Sequence, residues 1–272
     1  MAETQPLSSF GRVASALRET RWTQVVIELL LLILGILTAL AIDGWMEDRR
    51  DASKERLYLE RLVRDFDQDR DVLEEFVAFE ERQAADAVLA YRPLCGGTEI
   101  ADREAVVRAL DHLTTRRTVG LARATYSDML ATGNLRLIRD AGLRDRIVNL
   151  YESNERWTTI IDRNNQVFVD QMYLMYVLDE GLFSPRPDSN LRQPTATTGE
   201  ELARRLGLPV PARADRLWNL AVDAPERDVL CSKLWYRGLV SVQAIDQATA
   251  VAAQIAGVRQ AIADELARPG VR

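Results

Sequence analysis

Residues 22–45 read WTQVVIELLLLILGILTALAIDGW, and their reading decides how the rest of the chain must be placed. From Val25 to Ile42 the only ionisable side chain is Glu28. About 18 apolar residues at ~1.5 Å each give ~27 Å, close to the thickness of a hydrocarbon core. A tryptophan at either end suits the headgroup level, where indole is half buried and its N–H still finds a partner. Residues 22–45 are therefore expected to form a transmembrane helix in a lipid bilayer. A secretory signal peptide is the rival reading, because Ala39 and Ala41 flank Leu40 as at a cleavage site after Ala41. The long polar leader, Glu28 inside the apolar run, and a helical pattern that continues through Asp43 and Trp45 favour a retained anchor. A buried helix of a soluble domain would carry a polar stripe, and Leu29 to Leu37 has none.

The chain has 272 residues and a net charge of −6, with the apolar and charged fractions of a folded protein. No basic block is dense enough to track a phosphate backbone, which argues against nucleic acid as a partner. Residues 1–21 read as a short cytoplasmic tail, with Arg12, Arg18 and Arg21 before the membrane. Arg49, Arg50, Lys54 and Arg56 follow soon after the span, so charge counting alone does not orient it. The acidic near flank Asp43 to Asp48 and the two cysteines favour placing the large domain, residues 46–272, outside the cytoplasm.

Met46 to Tyr91 contains no Pro or Gly. Its Leu59, Leu62, Phe66, Leu73 and Phe76 alternate at spacings of three and four, interrupted by Asp69. One stalk helix continuous with the span is expected, reaching ~70 Å at ~1.5 Å per residue. Glu74, Glu75, Glu80 and Glu81 resemble paired catalytic carboxylates, but adjacent acids on a helix point apart, and a solvated face is the expectation. Pro93 to Gly97 ends the helix. Another is expected from Ala101 to Thr114 with Asp102 as N-cap. His112, the only histidine, has no second histidine or nucleophile in a recognisable setting and reads as an ordinary helix residue.

Thr125 to Tyr151 predicts a short helix ended by Gly133, a tight turn plugged by Leu135, Leu137 and Ile138, and a second helix from near Asp140. The corner Gly133-Asn134-Leu135-Arg136-Leu137-Ile138, the run Leu143-Arg144-x-x-Ile147-x-x-x-Tyr151, and a span carrying Glu28 and ending Ala41-Ile42-Asp43-Gly44-Trp45 resemble an uncharacterised bacterial family of single-pass membrane proteins. The resemblance covers Trp22 to about Asp179. It implies a retained anchor followed by a helical extramembrane domain, and it brings no activity or catalytic residues.

Helix is expected to continue to about Asp179, with Asn164 and Asn165 interrupting its apolar face. Met172, Tyr173, Met175 and Tyr176 suit core packing better than a docking surface. Residues 184–223 form a loop-rich insertion, in which Thr198 and Glu201 suggest a capping box for a short helix ending at Gly207. The last helix is expected from Asp223 to about Ala267, with a seam of Leu230, Leu234, Ile245, Ala248, Ala252, Ile255, Ile262 and Leu266. If it pairs antiparallel with the stalk helix, Cys95 and Cys231 lie at the same end. A disulfide between them is then weighed against two separate buried thiols.

The expected fold class is all-α: a transmembrane helix leading into a stalk, then an antiparallel, coiled-coil-like helical bundle. No catalytic, cofactor or metal motif emerges, and no cofactor is expected. The favoured function is non-enzymatic: an accessory subunit, scaffold or assembly factor for another membrane or periplasmic protein, with homo-oligomerisation open. A ligand-sensing protein signalling through a partner is the alternative, and an envelope enzyme the third. Glu28 is the candidate for an intramembrane contact with a partner, because a carboxyl in hydrocarbon is expensive.

Overall fold

The computed structural model describes residues 9–181, 204–207, 215–221 and 223–268. Every regular element among the described residues is a helix, and no strand occurs among them. Helix α1 runs Ser9–Cys95, α2 Arg103–His112, α3 Ala124–Ala131, α4 Ala141–Asn164, α5 Met175–Glu180 and α6 Pro225–Ala267. The chain divides into two compact units, one within Met1–Leu57 and one spanning Tyr58–Arg268.

In the first unit α1 passes through Ala39, Asp43 and Trp45 as unbroken helix. Its large apolar side chains from Val25 to Met46 are exposed on every face, so no protein core shelters them. This is the one helix among the described residues long and apolar enough to cross a membrane.

In the second unit the remainder of α1 buries Leu59, Leu62, Phe66, Asp69, Leu73, Phe76, Glu80, Gln83, Ala87, Ala90 and Leu94, at unbroken alternating spacings of three and four. Such a repeat lays one narrow stripe along a helix. Helix α6 answers with Leu230, Leu234, Arg237, Ser241, Ala244, Ala248, Val251, Ile255, Val258 and Ile262. Ile245, read as a seam residue, is only partly buried, and its neighbour Ala244 holds the position. Cys95 meets Cys231, Gln83 meets Arg237 and Asp67 meets Arg259, so the helices run antiparallel. Helix α4 runs in the same direction as α1, since Phe66 contacts Tyr151 and Phe76 contacts Trp157.

Local chemistry sets the turns. Helix α1 continues through Pro93 to Cys95, two residues further than a proline stop suggests. Gly96 N–H then donates to the Arg92 carbonyl at 3.0 Å. A Cβ on Gly96 would lie 2.8 Å from that oxygen, so the turn requires glycine. The Asp102 side chain caps α2 by accepting from Ala105 N–H at 2.9 Å, and Asp140 caps α4 through Leu143 N–H at 2.9 Å. Gly133 adopts φ 68°, where a side chain is disfavoured, and opens a 3₁₀ turn at Asn134–Leu137 that buries Leu137 and Ile138.

The helix expected to run unbroken to Asp179 instead becomes π-helical at Asn165–Leu174. Two bonds from outside it fix this segment. Asn165 Nδ2 donates to the Arg117 carbonyl at 3.0 Å, and Lys233 Nζ donates to the Met172 carbonyl at 2.8 Å. In the insertion, residues 204–206 form a helical turn before Gly207, while Thr198 and Glu201 lie outside the described residues. A 3₁₀ turn at Asp215–Asn219 returns the chain to the core through buried Leu217.

Candidate interaction site

The bundle core falls into two apolar clusters. One gathers Leu59 to Phe76 of α1 with Ala244 to Ile262 of α6, and the other Ala87 to Leu94 with Leu230 and Leu234. Between them lies a polar layer. Arg237, 1% exposed, donates to Ser241 Oγ at 2.6 Å, to Gln83 Oε1 at 3.0 Å and to Glu80 Oε2 at 3.5 Å. Burial lowers the guanidinium pKa, and Glu80 opposes the shift. The expectation that Glu80 sits on a solvated face is therefore wrong: it occupies a seam position and is 3% exposed. Glu74, Glu75 and Glu81 are exposed as expected, and Glu75 pairs with Arg117.

A second polar group lies inside the larger cluster. Asp69 Oδ1 accepts from Ala122 N–H at 2.6 Å, while its Oδ2 has no hydrogen-bond partner among the described residues. Burial, reinforced by the charge of Asp65, pushes the Asp69 carboxyl up to about 6 against the pull of the Ala122 bond. Burial first, then Asp65 and Asp69, also raise the Tyr151 hydroxyl. Tyr151 Oη, Asn154 Oδ1, Trp157 Nε1 and Asp65 Oδ2 are likewise buried without hydrogen-bond partners among the described residues.

On the surface of the α1–α6 pair lies an open recess of about 540 Å³. Its floor is Ala84, Ala87 and Gly238, and Val88, Leu239 and Val242 are among its walls. A Cβ on Gly238 would lie 3.2 Å from that of Ala87, so the helices touch there. Trp235 stands at the rim, 58% exposed. The sequence reading recorded only one seam per helix and missed this one. Its signal was present in Ala84, Ala85, Val88 and Leu89, which widen the apolar face beyond a single stripe.

The residues singled out from sequence are placed as follows. Cys95 and Cys231, placed at one end by the antiparallel pairing, form a disulfide with Cα atoms 5.7 Å apart, rather than two separate buried thiols. Glu28 is exposed on the apolar span. His112 Nδ1 lies 3.1 Å from Asp86 Oδ2, and burial raises the Asp86 carboxyl while His112 opposes it. Tyr173 is fully buried and donates to the Leu110 carbonyl at 3.0 Å, whereas Met175 is exposed, so the Met and aromatic cluster is split between core and surface. Among the described residues no group of His, Cys, Asp and Glu is arranged to hold a metal ion.

No family model, no curated protein and no solved structure matches this chain.

Proposed function

We propose that this protein is a non-enzymatic, single-pass membrane protein whose helical bundle acts as an accessory subunit, scaffold or assembly factor for another envelope protein. The observation that carries the reading is the joining, on α1, of an all-round apolar span to a folded helical unit with an exposed apolar recess. Such a span has the length and apolarity to cross a bilayer, and exposed apolar concavities on a folded surface mark interaction sites. The Cys95–Cys231 bond supports an oxidising compartment for the bundle, hence a periplasmic orientation from a bacterial inner membrane.

The test has two stages. Alkaline carbonate extraction should leave the chain in the membrane pellet, and protease added to spheroplasts should reach the bundle. Mild-detergent purification after crosslinking in intact membranes should then bring a stoichiometric foreign subunit. A chain released by carbonate, or one recovered only with itself, would refute the reading.

A ligand-sensing role has one observation in its favour, the unpartnered buried polar atoms around Asp69 and Tyr151. Native mass spectrometry of the purified full chain distinguishes the two readings by a retained small molecule.

A further inference from the structure

The recess between α1 and α6 has the shape of a trough. Ala84, Val88 and Tyr91 recur at intervals of four and three on α1, and Trp235, Gly238 and Val242 at intervals of three and four on α6, so both walls follow the helix axes. The backbone groups of α1 and α6 are already bonded within their own helices, so the trough offers an extended peptide no strand-like pairing. A helix brings its backbone bonds with it and needs only an apolar stripe.

Charge gives the occupant a direction. Exposed Arg92 stands at the Cys95 end of the trough, where exposed Asp228 lies beyond it on α6, and exposed Glu81 stands at the other end, so the Glu81 end is the more acidic. Eleven residues at ~1.5 Å separate these by ~16 Å, or about three helical turns. Because α6 runs antiparallel to α1, exposed Asp246 falls at the Glu81 end. A helix macrodipole is negative at its C-terminus, so the C-terminal end of a docked helix belongs beside Arg92 and its N-terminal end beside Glu81 and Asp246.

We propose that the recess is the docking groove for a single amphipathic helix of a partner protein. That helix lies parallel to α1, with acidic residues toward its C-terminal end and basic residues toward its N-terminal end. This deepens the accessory-protein reading and rests on it, by naming where and how the partner binds.

The experiment places a photo-crosslinking benzoylphenylalanine at position 81, 92 or 235, and separately at position 28, in the full chain in its native membranes. Crosslinked peptides are then identified by mass spectrometry. The expected result is that 81, 92 and 235 label one foreign peptide with apolar residues at helical spacing. The residue labelled from 92 should lie about eleven positions C-terminal to the one labelled from 81, as the ~1.5 Å rise requires. Arg92→Glu should cut labelling from 235 several-fold while leaving the melting temperature of the bundle in place. Reversed order, or labelling of this chain's own peptides whether from a second copy or from its own loops, overturns the proposal. A groove that labels nothing while position 28 labels a foreign protein overturns the groove and leaves the accessory reading standing. No foreign peptide from any position overturns both.

Discussion

Arg237 on α6 reaches across the seam to Glu80 on α1, 157 residues earlier in the chain, at 3.5 Å with both side chains buried. Removing one charge leaves the other in the core. Arg237→Met should therefore destabilise the bundle by about 3–5 kcal/mol, whereas the double variant Arg237→Met with Glu80→Gln should lose markedly less. Urea unfolding of the two single variants and the double at neutral pH checks this. Additive losses would mean that the pair is not coupled.

The Asp69 carboxyl, raised from 3.8 to about 6, gives the stability a pH dependence of known sign. The folded state holds this proton more tightly than the unfolded chain does. Its contribution is complete below about pH 4 and is lost as the pH rises through 6. Asp67, held low by Arg259, slopes the other way, so the measurement is a difference. Asp69→Asn keeps an oxygen for Ala122 N–H, so the denaturant midpoint of the variant should rise relative to that of the parent between pH 4 and 6. Parallel curves for the two proteins would assign the slope elsewhere.

The Cys95–Cys231 bond closes a loop across 136 positions. A loop of that length restricts the unfolded chain by about 5 kcal/mol in the chain-entropy model. Reduction should lower the thermal midpoint of the oxidised protein and leave that of Cys95→Ser with Cys231→Ser unchanged. Two thiols alkylated in the unreduced, denatured protein would exclude the bond.

Glu28 is the only ionisable group in the apolar run of the span. Glu28→Gln should insert at least as well as the parent, because a neutral amide costs less in hydrocarbon than a carboxylate. It should also weaken recovery of the foreign subunit. Unchanged recovery would remove Glu28 from the contact.

What could be read from the sequence followed from local rules. Leu59 to Phe76 announce their helix by spacing, Asp102 and Asp140 announce their caps, and two cysteines at the ends of two long helices leave one pairing. The polar layer escaped because Glu80 and Gln83 hold seam positions with side chains that read as solvent-facing. What buries them is Arg237, whose role depends on an antiparallel register that no local pattern contains. The π segment escaped for a related reason. Asn165 and Lys233 stabilise it by bonds to and from distant chain segments, and helical periodicity carries no record of those partners. The recess was missed because it belongs to neither helix alone.

The bond between Cys95 and Cys231 also changes what it means to cut this chain. Every residue from 95 to 231, including α2 to α5 and the insertion, belongs to one covalent ring, with the remainder of α1 and of α6 as its two tails. A protease that nicks the insertion once opens the ring without separating its halves. The cut protein keeps its mass and both tails until a reductant reaches the disulfide, and only then do two fragments appear.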